Sequence, residues 1–172
     1  MQALEYPFDG EALLRKKRAL RRELAAQPGL VEKKVAIVSG TTVGEVKNML
    51  ELFLLNSGIR PAFWEGPYGL YYESIAFDDG SLAAFAPDVI YIHTSVHNLQ
   101  NLPCPADSAG AAEEKFAAEA ARWQGLWQAA ARFGCPVVQN NFELPDVRVL
   151  GSFDAVAAQG RVRFVRRMNA LA

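Results

Sequence analysis

Between Lys34 and Leu54 the hydrophobic pattern changes period once, and the change is abrupt. Lys34-Val35-Ala36-Ile37-Val38 is a short, β-branched apolar run, the pattern of a parallel strand covered on both faces. From Val43 onward the apolar residues Val46, Met49, Leu50, Phe53 and Leu54 recur at three- and four-residue spacing, which is one face of a helix. Ser39-Gly40-Thr41-Thr42 lies between them, and Thr42 with Glu45 three residues later reads as a capping box that starts the helix. A strand, a tight hydroxyl- and glycine-bearing turn and a capped helix together present backbone N–H groups and hydroxyls at the carboxyl edge of a sheet. Open α/β proteins place their sites there.

Three more strands follow the same logic. Ile59 to Trp64 is the second, with Pro61 placing it at or near a sheet edge; Asp88 to His93 is the third; Pro136 to Gln139 is the fourth. Helical patterns separate them, and Gly58 and Gly134 stand where a helix ends in a left-handed residue. Alternation of this kind predicts a three-layer parallel sheet with helices on both faces, Rossmann-like or flavodoxin-like. The first strand is expected to be central, with the second and third on opposite sides of it. Leu70–Phe77 and Ser81–Phe85 read as short helical pieces, Ala111–Phe133 as a long alanine-rich helix, and Arg161–Ala172 as a closing apolar–basic helix. Thr94–Asp107 shows no period and reads as a long loop.

Before the first strand, residues 1–30 form a helical lead-in. Asp9 caps a helix over Glu11–Ala26 that carries Arg15, Lys16, Lys17, Arg18, Arg21 and Arg22. Such a run is ordinarily a solvated helix face; the sharper reading is a docking surface for an acidic partner. Residues 31–172 then form the α/β domain, and it is expected to be truncated at its C-terminal end, because a further strand should follow the final helix.

With 172 residues, 51% of them hydrophobic, the chain can bury a sizeable core. A net charge of −1 excludes a general affinity for nucleic acid or acidic membranes. Two cysteines, Cys104 and Cys135, offer neither metal-ligand spacing nor a disulfide framework, which fits a reduced cytoplasmic setting. No stretch approaches the length of a membrane span.

Each predicted strand is followed by a polar cluster. A hydrolytic reading takes Thr41 or Ser39 as nucleophile, His93 or His97 as base, and Asn98 or Asn140 as oxyanion donor. The best catalytic candidates are Thr41, His97 and Asn98; Ser39, Gly40, Thr42, His93, Thr94, Asn140 and Asn141 would line a substrate site. Simpler roles exist for several of them. Ser39 and Thr42 suit a turn and a cap, His93 can be a satisfied core histidine, and Asn140 and Asn141 can saturate backbone groups at a strand end. Gly40 and Gly44 lack the G-x-G-x-x-G spacing of a dinucleotide site, and no lysine follows a glycine-rich loop as a P-loop requires.

Several ordered blocks carry a resemblance: Leu4-Glu5-Tyr6-Pro7-Phe8-Asp9, Ser39 to Leu55, Gly58-Ile59-Arg60-Pro61, Tyr71-Tyr72-Glu73, Pro87 to Thr94, and Gln139-Asn140-Asn141-Phe142-Glu143. Together they resemble the N-terminal region of FkbH-like proteins, of the haloacid-dehalogenase superfamily subfamily IIIC type. The resemblance implies an SGNH-hydrolase-like domain followed by a phosphatase domain that uses Mg. It also implies glyceryl or acyl transfer to an acyl carrier protein in polyketide extender-unit biosynthesis. No Asp-x-Asp occurs in the chain, so the phosphatase domain and its Mg would lie outside it, leaving no cofactor and no metal for these residues. If the SGNH blocks align, Thr41 takes the nucleophile's place and Gly40 the aspartate's, while the late aspartate–histidine block has no counterpart. Two other readings stand beside this one: a free-standing SGNH-like esterase, and a non-catalytic domain that positions partners.

Overall fold

The structure, a computed structural model, describes residues 4–171; the start of the lead-in and the last residue of the closing helix lie outside the described residues. Helix α1 spans Gly10–Ala25 and strand β1 Val31–Ser39; α2 spans Gly44–Asn56, β2 Ile59–Glu65, α3 Tyr71–Ala76 and α4 Ser81–Phe85. Then come β3 at Val89–His93, α5 at Ala109–Ala131, β4 at Val137–Gln139 and α6 at Arg161–Asn169. All the strand pairings are parallel and the order is β2-β1-β3-β4, so β1 is central and β2 is an edge, as the periodicity predicts. This is the three-layer Rossmann-like α/β arrangement.

Alternation along the strands assigns the layers. Ala36, Val38, Ile90 and Ile92 point to one face and join Trp123, Leu126, Phe142, Phe164, Val165 and Met168 in the main core. Trp123 is fully buried there, stacked on Tyr71 at 5.7 Å and edge-on to Phe142 at 5.0 Å. Val35 and Ile37 point to the other face and meet Val43, Leu50 and Leu54 of the α2 region. Helix α1 does not touch the sheet core. Its Leu13, Leu20 and Leu24 pack on Leu52 and Leu55 of α2.

Several helix ends follow local chemistry, and one expected cap does not form. Asp9 caps α1 through Ala12 N–H at 3.1 Å, and Gly58 and Gly134 take φ of 80° and 69° where α2 and α5 end. The expected Thr42–Glu45 capping box is absent. Val43 occupies the N-cap without a side-chain bond, and Thr42 is exposed. Glu45 turns instead to Lys17 of α1, at 2.5 Å, so a tertiary ion pair takes the carboxylate that the box would have used.

Candidate functional site

The polar clusters do converge at the carboxyl edge, and backbone hydrogen bonds tie them together. Gly40 N–H donates to the His93 carbonyl at 2.9 Å, joining the turn after β1 to the end of β3. Gly69 N–H donates to the Ser39 carbonyl at 3.1 Å, which draws in the loop after β2. Asn140 clamps the end of β3: its Oδ1 accepts from Thr94 N–H at 3.0 Å and its Nδ2 donates to the Thr94 carbonyl at 2.7 Å.

The segment after β3 is less irregular than its sequence suggests. Val96–Asn98 forms one 3-10 turn closed by a capping box, in which Asn98 Oδ1 accepts from Ser95 N–H at 2.9 Å and Ser95 Oγ accepts from His97 N–H at 3.2 Å. The other end of the Asn98 amide donates to the Gly40 carbonyl at 3.3 Å. Gly40 is required at this approach, because a Cβ there would lie 2.2 Å from Asn98 Nδ2 and 2.4 Å from its Cγ. Gly40→Ala is expected to unseat Asn98 at a cost of about 1 kcal/mol, since the crowded atoms belong to a side chain that can turn away. The Asn98 side-chain amide resonance reports it; an unshifted signal would contradict this seating.

The sequence-predicted residues therefore divide. Gly40, His93, Thr94, Asn98 and Asn140 are brought together, and Ser39 is buried at the end of β1. Among the described residues, the side chains of Thr41, Thr42, His97 and Asn141 have no hydrogen-bond partner; Thr41 is half-buried and the other three are exposed. His93 Nδ1 is 2.9 Å from the Tyr91 hydroxyl, and burial pushes the Tyr91 phenol up from its ordinary range. No hydrogen bond links the Thr41 side chain to His93 or His97.

Periodicity alone missed the groups that hold the edge in shape. Glu119 of α5 is fully buried. Its Oε2 accepts from the N–H groups of Gln100 and Asn101 and from Asn101 Nδ2, at 3.2, 3.0 and 2.8 Å. Its Oε1 accepts from Arg122 at 2.6 Å and Trp123 Nε1 at 2.9 Å. Arg122 reaches on to the Asn98 carbonyl at 2.8 Å and the Tyr71 hydroxyl at 3.1 Å. Burial alone would raise the Glu119 pKa, but the Arg122 guanidinium and the Asn101 donors outweigh it and hold the carboxyl below its usual value. A sequence signal did exist: Glu119 sits on the apolar stripe of Phe116, Trp123 and Leu126, where a carboxylate must be paired. Gln139 is a second omission. It links Trp127 Nε1, at 2.7 Å, to the Thr94 hydroxyl, at 3.5 Å.

Sheet order and the gathered loops define the class: a parallel Rossmann-like protein with its polar residues at the carboxyl edge. No family model matches the chain, and no curated protein matches it. A solved structure does share the fold. It is the crystal structure of the N-terminal part of the protein BF1531 from Bacteroides fragilis, containing a phosphatase domain complexed with Mg, with a TM-score of 0.70 and 16% identity. The match covers 90% of this chain and 40% of that one. Among the described residues, no helix is long and apolar enough to cross a membrane.

Proposed function

We propose that this chain is the N-terminal domain of an FkbH-like protein, which holds the acyl-carrier side of a glyceryl or acyl transfer while phosphoryl chemistry proceeds in a phosphatase-type domain of the same protein. The observation that carries the reading is the gathered carboxyl edge. Asn98 on Gly40 and Asn140 on Thr94 lock the turn after β1 and the loops after β3 and β4 into one surface. The fold likeness to the N-terminal part of a phosphatase-containing protein supports it as well.

In this reading the unpartnered Thr41 hydroxyl and Asn141 amide bind the small polar acyl unit, and Asn98 Nδ2 faces its carbonyl. Thr41 acts as a binding hydroxyl, since no base contacts it. In this reading Mg belongs to the phosphatase-type domain.

Carrier docking falls to α1. Lys17 and Arg21 are spent on Glu45 and Glu51 of α2, at 2.5 and 2.8 Å. Arg15, Lys16, Arg18 and Arg22 remain exposed. Arg18 and Arg22 lie one turn apart on one face, so reversing both to Glu is expected to slow association with an acidic carrier protein about tenfold at low salt and to flatten its salt dependence. The thermal midpoint should hardly move. Surface plasmon resonance with glyceryl-loaded and unloaded carrier tests the docking and the site together, because Thr41→Val should abolish preference for the loaded form without changing the on-rate. An on-rate indifferent to the charge reversal would defeat the docking role. Hydrolysis of small activated esters that disappears in Thr41→Ala would replace this reading with the esterase.

A further inference from the structure

We propose that Tyr91 is a positioning residue that fixes the tautomer of His93, so that the His93 imidazole serves the candidate site as an Nε2–H donor and not as a base. The oxygen that accepts from it rests on the acyl-transfer reading above, whereas the tautomer rests on the geometry of β3 alone.

Strand alternation sets up the pair. Tyr91 and His93 lie two residues apart in β3, so both side chains leave the same face of the sheet, and their ring centroids are 5.6 Å apart. Ile37 and Ser39 are their neighbours in register on β1. The Tyr91 hydroxyl lies 2.9 Å from His93 Nδ1, and among the described residues it has no other hydrogen-bond partner. Val35, Leu50, Leu54, Val89 and Val138 line the groove beside the phenol and offer no side-chain acceptor.

Elimination then assigns the proton between the two rings. A proton on His93 Nδ1 would donate to the phenol oxygen and leave the phenol O–H turned toward that apolar groove. A half-buried hydroxyl without an acceptor is the costlier arrangement. Imidazole nitrogen is also the better acceptor of the two atoms, and burial keeps the phenol protonated, with its O–H to give. Tyr91 therefore donates to Nδ1, and the neutral ring carries its one proton on Nε2.

That end of the ring is unspent. His93 is half-buried at the carboxyl end of β3, and among the described residues no group bonds its Nε2. Its carbonyl accepts from Gly40 N–H at 2.9 Å, which seats it against the turn that carries Thr41. An N–H held there suits an oxygen acceptor, either the carbonyl of a bound acyl unit or the carboxylate of the free acid. The ring cannot take a proton from a nucleophile in the site, because its one lone pair is on Nδ1 and faces Tyr91.

Long-range nitrogen–proton NMR of His93 reads the tautomer, at about pH 8.5 where an unperturbed imidazole is neutral. The wild-type ring should show a protonated Nε2 and a bare Nδ1. Tyr91→Phe keeps the aromatic ring and removes only the hydroxyl, so its His93 should show both tautomers in exchange. A wild-type ring protonated on Nδ1, or a Tyr91→Phe spectrum identical to wild type, would overturn the proposal. Sodium glycerate then serves as the carboxylate probe, followed through the same Nε2 signal. His93→Leu should weaken glycerate about tenfold, whereas His93→Gln, which keeps an N–H donor and cannot act as a base, should stay within about threefold of wild type. Equal losses in both variants would overturn the donor role. If glycerate leaves the Nε2 signal unmoved, the donor role fails together with the acyl-transfer reading, while the tautomer spectra still decide the part of Tyr91.

Discussion

Glu119→Ala is expected to lower the unfolding free energy by about 3 kcal/mol, the cost of breaking a buried ion pair from one side. The truncation strands the Arg122 guanidinium, the Trp123 indole N–H and the N–H groups of Gln100 and Asn101, all of which bond this one carboxylate. It should also loosen the site, because Arg122 holds the Asn98 carbonyl while Glu119 holds the next two amides. Urea unfolding measures the first effect, and exchange of the Gln100 and Asn101 amides measures the second. The pH dependence follows from the sign of the shift. The folded-state pKa lies below the ordinary carboxylate value, so the contribution is present above that ordinary value and is lost as pH falls through the folded one. Glu119→Gln should therefore flatten the acid limb of the stability profile. An unchanged acid limb would mean that other carboxylates govern it.

Gly160→Ala should cost about 3 kcal/mol, the upper range for an added methyl in a packed interior. Its Cβ would lie 2.1 Å from the Asp154 carbonyl oxygen and 2.9 Å from the Asp154 Cα, and backbone cannot swing aside as a side chain can. The same Asp154, fully buried, accepts from Val162 N–H in the first turn of α6 at 2.7 Å and from Leu150 N–H at 3.3 Å. Strain at Gly160 thus acts on the cap that starts α6. The damage should reach the candidate site, since Asn169 of α6 clasps Phe142 at both its N–H and its carbonyl, each at 2.8 Å. Phe142 follows directly on Asn140 and Asn141. Calorimetry reads the stability loss; an α6 that keeps its amide protection in the variant would refute this coupling.

Local pattern was sufficient for the strands, their parallel direction and the central place of β1. A short β-branched run and a change of period are properties of consecutive residues, and crossover handedness converts them into strand order. Gly58 and Gly134 were legible for the same reason, because a left-handed helix end is chosen by the residue that occupies it. What the fold alone decided is where each polar group spends its hydrogen bonds. Glu45 had two possible partners, the start of its own helix and Lys17 of α1, and only the packing of α1 on α2 settled the choice. Asn98 was legible as a polar group after β3, but only the fold decided that its amide joins its own 3-10 turn to Gly40, 58 residues away in sequence. Glu119 showed as an anomaly on an apolar stripe, but its partners in the loop after β3 became neighbours only when α5 folded back across the sheet. Hydrophobic burial is written in spacing along the chain, whereas a hydrogen bond needs two groups within about 3 Å, and chain folding alone brings distant residues that close.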